Sequence, residues 1–495
     1  MLLFSLIGCT GEVEKVCTHT DADDNGVCDE CYTSVLVIID FYNINDLHGK
    51  FKDTNDNCGV DELSSYLRLR AKYDDNVVLL SSGDMWQGSS ESNLTKGMII
   101  TEWMNDLDFE AMILGNHEFD WGEEYIVENS ELAEFPFLAI NVYDRETNER
   151  VEYCRASAVI ERGGIQIGII GAIGDCYSSI SGDKSGGFYI KTGSELTSLV
   201  KAESDRLRAE GVDYIVYSIH DGYERNSSSS ELEVSGSDLS YYYDTSLSNG
   251  YVDLVFEGHT HKKYVLVDEY GVYHLQNGGE NIGISHAEIK VNSVTGTVGT
   301  NIAQFVPSSV YEKSSDDPIV KRLLEKYSEQ ISVADTVLGV GKRKIYSNEI
   351  KQIVAQLYYE FGVKTWADDY DIVLGGGFIS TRSPYNLPAG EIKYSDIQSI
   401  LPFDNELVLC SVSGADLKRK FFETSNENYF ICYGSYGESV KNSIDPNATY
   451  YIVTDAYTST YAPNNLTEIE RFGQQMFARD LFAEYIKNGG LDLVG

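Results

Sequence analysis

The chain is short of basic charge, proline and histidine and has no long apolar run, and each scarcity narrows what it can be. In 495 residues, 38 Lys and Arg stand against 78 Asp and Glu, a formal net charge of −40. Such a surface repels phosphate backbones and anionic lipid at long range, which disfavours a nucleic-acid partner or a polybasic membrane reader. An anionic substrate would need positive charge supplied locally. No run of about 18 apolar residues occurs, so no spanning helix is predicted. Only 8 residues are Pro, yet 12% are aromatic, with 35 Tyr. A disordered acidic chain would be poor in aromatics, so this one folds. At about 150 residues per domain the length admits two to four domains, and there is no internal repeat.

The nine cysteines are dense only before position 32, which is not a disulfide scaffold. In MLLFSLIGCT, Leu6, Ile7 and Gly8 precede Cys9, which resembles the lipobox of a bacterial lipoprotein signal. That resemblance implies an extracytoplasmic chain tethered by lipid on Cys9, its only expected membrane contact. The next segment, CTHTDADDNGVCDEC, offers Cys17, His19, Cys28 and Cys31 as four ligands of the type that close around structural zinc. It also reads as a calcium loop, with Asp21, Asp23, Asn25 and Gly26 in place but Tyr32 where the bidentate Glu should stand. The third reading is a tether, disulfide-bonded if exported.

From Ser34 onward, short apolar runs ending in Gly, Asp, Asn or His alternate with stretches of helical period, the pattern of an α/β protein. Strands are predicted at VLVIIDF, NVVLLSS, FEAMILG, GIQIGIIGA, VDYIVYSI and VDLVFEG, with VYHLQNG and ISHAEIKV as antiparallel additions. Helices are predicted at DELSSYLRLRAKY and at SELTSLVKAESDRLRAEG, the second opened by Ser194 and closed by Gly211. Residues 227–248 read as an inserted surface loop. SSDDPIVKRLLEKYSEQI (314–331) reads as one connector helix with Pro318 near its start. A second mixed domain is expected from 334 to 495. Its helices are predicted at Asn348–Tyr359, Gly414–Phe422 and Thr467–Lys487, and its strands at DIVLGGGF, NELVLCSV and TYYIVTDAY.

Of only 8 His, five lie in polar clusters directly after predicted strands. Asp46 and His48 are in NDLHG, Asp84 in SSGDMWQG, Asn116 and His117 in GNHEFD, His220 in SIHDG, and His259 and His261 in EGHTH. The carboxyl ends of parallel strands share one edge, so clusters far apart in sequence can meet there. Asp, Asn and His suit divalent transition metals rather than thiolate chemistry. Two metals need about eight ligand positions, and these clusters offer seven residues, with one Asp able to bridge.

The ordered series NDLHG, GD, GNHEFD, a strand-end His and GHTH resembles the calcineurin-like metallophosphoesterases. With a second domain carrying GGG and PFxN, it resembles the 5′-nucleotidase family over residues 35–490. The resemblance implies a four-layer α/β/β/α sandwich over 35–313, a connector over 314–333 and a mixed α/β nucleotide-binding domain after it. One metal would be held by Asp46, His48 and His261, the other by Asn116, His220 and His259, with Asp84 bridging. Mn, Zn, Fe, Co and Mg are all admitted. His117, oriented by Asp120, would stabilise the phosphoryl transition state or protonate the leaving oxygen, with Glu118 and Phe119 as support.

In the second domain the family's GGGIR becomes GGGFISTR: Gly375, Gly376 and Gly377 remain, Ile379 takes the Arg position and Arg382 is displaced. RKIYSNEIK nominates Arg343 and Lys351 for phosphate, and NYFICYGS and YYIVTDAY nominate Tyr429 or Phe430 and Tyr457 for base stacking. The family's GGDGY is replaced by TSTYAPNNL, and PFxN reads as a structural turn. The implied reaction is phosphate release from nucleoside 5′-phosphates outside the cytoplasm by a monomer. The alternatives are a 2′,3′-cyclic nucleotide, a nucleotide sugar or another phosphomonoester on the same metals, and, in another class, an inactive surface-anchored binding protein.

Overall fold

A computed structural model describes residues 17–51, 58–71, 74–223, 246–311, 317–379, 381, 386–422, 431–435, 443–461, 465–472 and 476–492. Cys9, Arg382, Tyr429, Phe430 and most of the 227–248 insertion lie outside them. Of that insertion, residues 246–248 form a helical turn with Leu247 buried. No described helix is long and apolar enough to cross a membrane.

Two six-stranded sheets build the first unit. One runs Val298–Pro307, Gly283–Asn292, Leu36–Ile44, Val77–Ser81, Ala111–Ile113, Phe137–Leu138; the other runs Lys263–Val267, Tyr273–Asn277, Leu254–Phe256, Tyr214–His220, Ile165–Ile173, Ser157–Arg162. Successive side chains of a strand face opposite ways, so the apolar runs feed two cores. Ile39, Phe41, Val78 and Leu80 pack between the sheets against Ile167, Ile169, Val216 and Phe256. Tyr42, Ile44 and Leu79 face outward onto helices that contribute Leu63, Leu67, Ile100 and Trp103. On the far side, Ile170, Ile215 and Tyr217 receive Leu196, Val200 and Leu207 of the helix Gly193–Ala209. The layers are helix, sheet, sheet, helix. Because both faces of each central strand are covered, those strands read as continuous apolar runs rather than alternating ones.

Several local expectations change. VYHLQNG pairs parallel to Leu254–Phe256, and its antiparallel partner is Lys263–Val267. The half-exposed strands Ser157–Arg162 and Val298–Pro307, with their weaker apolar signal, were not foreseen. The helix Gly193–Ala209 has Thr192, not Ser194, at its N-cap, and Gly211 follows with φ +94°. The connector breaks at Tyr327 into Pro318–Lys326 and Ser328–Ile331. Its first part belongs to the first unit, since buried Asp317 accepts hydrogen bonds from Ser64, Ser65 and Arg68 while Val320 and Leu323 enter the same core as Leu63.

The second unit centres on a five-stranded sheet in the order Ile431–Gly434, Ile372–Gly377, Thr449–Asp455, Leu407–Ser413, Thr467–Arg471. The helix over it runs Ser347–Trp366, seven residues beyond the predicted end at Tyr359. Past Leu417 the predicted helix 414–422 widens into a π-turn. The predicted helix Thr467–Lys487 is wrong in its first half: TEIER is an edge strand antiparallel to Leu407–Ser413, and the helix is Ala478–Lys487. An exposed edge strand carries no apolar run to give itself away, and the pairing partner is nearly sixty residues upstream.

Candidate metal centre and cleft

Five strand ends deliver the clustered residues to one edge. Asp46 and His48 follow Leu36–Ile44, Asp84 follows Val77–Ser81, Asn116 follows Ala111–Ile113, His220 ends Tyr214–His220, and His259 and His261 follow Leu254–Phe256. Ligand atoms of Asp46, His48 and His261 lie within 4.8 Å of one another, as do those of Asp84, His220 and His259. Asn116 Oδ1 joins the second group, 3.2 Å from His220 Nε2 and 2.9 Å from His259 Nδ1.

The turns that achieve this are strained. Asp46, His48, Asp84, His259 and His261 all have φ between 51° and 68°, in the left-handed region that costs a non-Gly residue about 1–2 kcal/mol. Gly83, at φ +87°, makes room: a Cβ there would lie 2.7 Å from His220 Nδ1.

The donor set suits cations. His48 Nδ1 donates to Gln87 O at 2.9 Å and His220 Nδ1 donates to Ser82 O at 2.7 Å, so each neutral ring would turn the Nε2 lone pair inward. There, His48 Nε2 and His261 Nε2 face each other at 3.0 Å, and buried Asp46 Oδ1 lies 3.2 Å from His261 Nε2 and 4.0 Å from His48 Nε2. Lone pairs and carboxylate oxygens converging in a buried space repel one another unless a positive charge lies between them. Burial opposes charge on His220, but Asp84 and Asp46 outweigh it and raise its pKa to about 10. Burial likewise pushes Asp84 upward, and His220, His117 and His48 overcome it and hold the carboxyl well below the usual range. Divalent cations would satisfy the same field.

A buried carboxylate underpins the turns. Glu118 Oε2 accepts from Asp84 N at 2.9 Å and Gly115 N at 2.7 Å, while Oε1 accepts from Met85 N at 2.9 Å and Trp86 N at 3.3 Å. It thereby ties the Asp84 turn to the Asn116 turn, a more specific role than general support.

Beside this centre, His117 Nδ1 lies 2.8 Å from Asp120 Oδ2, and His117 N donates to Asp84 Oδ1 at 2.8 Å. His117 and Asp120 line a cleft of about 180 Å³ with Ser179, Ser181, Phe403, Asp404, Asn405 and Tyr457. Tyr457 thus comes to the site. PFxN, expected to be a plain turn, does more: the Phe403 ring lies stacked 5.9 Å from His117. Phe378 sits 6.1 Å from Tyr457, so a third ring near the cleft was missed, although it directly follows the glycine run. Asp404 binds Lys96 of the first unit at 2.6 Å and Arg479 of the second at 2.5 Å, and Arg471 reaches across to Asp183 at 3.0 Å.

Other nominees go elsewhere. Arg343 is exposed and paired with both oxygens of Glu349, in the first turn of Ser347–Trp366, at 2.8 and 3.0 Å. Neither Arg343 nor Lys351 lines the cleft. Gly376 and Gly377 are packing glycines inside a strand: a Cβ on the first would lie 2.1 Å from Ile431 O, and on the second 2.6 Å from Thr458 Oγ1. Ile379 is buried. Cys17, His19, Cys28 and Cys31 do come together, with ligand atoms within 4.8 Å. A wider hollow of about 590 Å³ elsewhere is lined by Asp74, Asp75, Asp108, Glu110 and Glu134, an unfavourable surface for phosphate.

A family model described as calcineurin-like phosphoesterase matches residues 39–263, and one described as 5′-nucleotidase, C-terminal domain, matches 342–463. An apyrase of Tabanus yao is 27% identical over 419 residues, covering 76% of this chain and 72% of the relative. Protein UshA of Yersinia enterocolitica is 23% identical over 444 residues, covering 77% and 76%. Among solved structures, the 5′-nucleotidase precursor of Thermus thermophilus superposes with a TM-score of 0.65 at 18% identity, over 91% of this chain and 96% of that one, a likeness of fold.

Proposed function

Because the chain belongs to the calcineurin-like phosphoesterases that carry a 5′-nucleotidase C-terminal domain, and so to the metal-dependent phosphoester hydrolases, we propose that it releases phosphate from nucleoside 5′-phosphates at two divalent cations. Asp46, His48 and His261 would hold one, Asn116, His220 and His259 the other, and Asp84 both. The observation that carries this reading is the convergence of those seven residues beside the His117–Asp120 pair, at the mouth of a cleft walled by Phe403 and Tyr457.

When bound, such cations lower the pKa of water and neutralise phosphate oxygens as charge builds during in-line attack. They also supply the local positive charge that a −40 chain needs. The protein's own part is orientation and proton transfer. Asp120 fixes the His117 ring through Nδ1, leaving Nε2 as the atom that donates to a phosphoryl or leaving-group oxygen. Phe403 packs on the His117 ring and limits water around it. Tyr457 and Phe378 offer apolar faces to a base. The lipobox-like run before Cys9 supports an enzyme tethered outside the cytoplasm, which membrane fractionation of wild type and Cys9→Ser would test.

The test is phosphate release from AMP, UMP, ATP, UDP-glucose, 2′,3′-cyclic AMP and p-nitrophenyl phosphate with Mn²⁺, Zn²⁺ or chelator, beside Asp84→Ala. Chelator-sensitive turnover of AMP or UMP, absent in the variant, is expected. Turnover of the cyclic nucleotide or the model ester alone would overturn the substrate and keep the metal centre.

A further inference from the structure

The segment before the first strand has no core of its own. Between residues 17 and 34, Cys28 is the one hydrophobic side chain that is buried, while Val27 is 39% and Tyr32 81% exposed. His19, Asp24 and Tyr32 hold positive φ of 43°, 55° and 58°. A piece this short, strained and poor in apolar contact does not bury enough surface to offset its chain entropy, and small units of that kind take a metal or a disulfide. Cys17, Cys28 and Cys31 are free thiols.

Their arrangement is that of a metal site. Cys17 Sγ lies 3.5 Å from Cys28 Sγ, Cys31 Sγ lies 3.4 Å from His19 Nδ1, and all four ligand atoms are within 4.8 Å of one another. A tetrahedron with zinc–sulfur bonds of about 2.3 Å and zinc–nitrogen bonds of about 2.0 Å has edges of roughly 3.4–3.8 Å. The backbone preorganises the set: Asp29 N donates to Thr20 O at 2.7 Å, Cys28 N to Thr33 O at 2.9 Å and Tyr32 N to Cys28 O at 2.9 Å, closing the Cys28–Cys31 turn against the Cys17–His19 arm. Thr33 Oγ1 lies 3.0 Å from Cys31 Sγ, an outer contact of the kind that orients a ligand.

The adjoining acidic loop is occupied differently. Asp21 accepts from Asn25 N at 3.0 Å, Gly26 N at 2.8 Å and Asn292 Nδ2 at 2.6 Å, Asp23 from Asn25 Nδ2 at 2.9 Å, and Asp29 from Ala22 N at 2.8 Å. Oxygens of Asp21, Asp23 and Asp29 do lie within 4.8 Å of one another, but the loop's twelfth position, where a calcium loop places its bidentate Glu, is Tyr32. The loop's service is docking: Asp21 and Asp24 both bind Asn292, and Asp24 also binds Thr295 at 2.7 Å, in the turn joining Gly283–Asn292 to Val298–Pro307. Leu36 pairs with Asn292 at the start of the strand Leu36–Ile44, whose other end leads to Asp46. Nine residues of strand separate the two sites, about 30 Å.

We propose that Cys17, His19, Cys28 and Cys31 form a structural zinc site that clamps the segment preceding the catalytic domain onto the end of its sheet opposite the catalytic centre. The chemistry is soft and closed: three thiolates and an imidazole leave no position for substrate.

The experiment uses the full chain, reduced, stripped of metal and reloaded with cobalt(II) as a zinc probe. The catalytic ligands include no cysteine, so a thiolate-to-cobalt charge-transfer band reports this site alone, whether or not the catalytic reading is right. The band is expected in wild type, lost in the Cys28→Ser/Cys31→Ser double variant with one metal equivalent per chain, and retained in His19→Cys, which completes a four-thiolate set. Phosphate release by the double variant should stay within about twofold of wild type at 25 °C, while its N-terminal segment becomes at least tenfold more sensitive to protease. Absence of the band in reduced wild type overturns the proposal, as does a metal stoichiometry that the double variant leaves unchanged, or calcium protecting the segment equally in both proteins.

Discussion

Replacing Glu118 by Gln tests whether the metal-site turns are held by one buried carboxylate. The side chain is fully buried, and four backbone N–H groups point at its two oxygens, from Asp84, Gly115, Met85 and Trp86. Burial and the neighbouring Asp84 charge push its pKa up to about 7, against the pull of those N–H bonds. In Gln one oxygen becomes an NH2 group, so whichever way the amide lies, two N–H donors confront another donor. Each lost bond to a charged acceptor is worth about 1.5–3 kcal/mol, or roughly 3–6 kcal/mol for two. Relief of the desolvated charge beside Asp84 returns part of this, leaving a net cost of about 2–4 kcal/mol. At roughly 2–4 °C per kcal/mol for a domain of this size, Tm should fall by about 4–16 °C. Because the freed turns carry Asp84 and Asn116, the metal concentration for half-maximal phosphate release should rise about 10–100-fold. Calorimetry and a metal titration of activity read both effects. A Gln variant that melts within 2 °C of wild type and saturates at the same metal concentration would refute the reasoning, showing that any polar group of that size fills the space.

Asp120→Asn should lower kcat by roughly 10²–10⁴-fold with metal content unchanged, since it releases the ring of His117, the proposed proton donor, and is not itself one of the proposed metal ligands; metal analysis beside steady-state kinetics separates the two. Gly83→Ala should cost at least about 2 kcal/mol through positive φ and the 2.7 Å approach to His220, seen as a lower denaturant midpoint and loss of activity together. Burial raises the Asp404 pKa, but Arg479 and Lys96 more than reverse it, so the folded pKa lies below the unfolded one. The stabilisation is therefore complete above the ordinary carboxylate pKa and lost as pH falls through the depressed value. Asp404→Asn should unfold more readily than wild type at neutral pH, with the difference shrinking as pH falls below the ordinary carboxylate range in acid titrations followed by circular dichroism; a constant difference would count against the Lys96–Asp404–Arg479 bridge.

Much of the site was legible because its residues are rare and locally marked. Five of 8 His stand after apolar runs, and the rule that strand ends share an edge needs no coordinates to apply. The cleft's far wall was not legible. Phe403 and Phe378 sit in sequence contexts indistinguishable from a turn and a strand end; the packing of one unit on the other brings Phe403 to His117, while Phe378 meets Tyr457 inside the second unit, where its N donates to Thr458 Oγ1 at 3.1 Å. Arg343 shows the reverse error: a basic residue in a family-like segment is captured by Glu349 four residues before Ile353 buries the next helical turn.

The sequence by itself determined the layered α/β architecture, through runs long enough to be buried on both faces, and nominated the seven residues proposed to hold metal, through the chemistry of Asp, Asn and His after those runs. It also determined that Cys17, His19, Cys28 and Cys31 belong to one short segment. Tertiary structure alone decided that TEIER is a strand, that Pro318–Lys326 belongs to the first core, that Glu118 braces two turns, and which rings line the cleft beside His117. The physical reason is the same in each case. Periodicity and ligand type are properties of neighbours along the chain, whereas edge pairing, buried-charge satisfaction and the facing of two domains depend on partners up to hundreds of residues away, whose free energy exists only once the chain has closed.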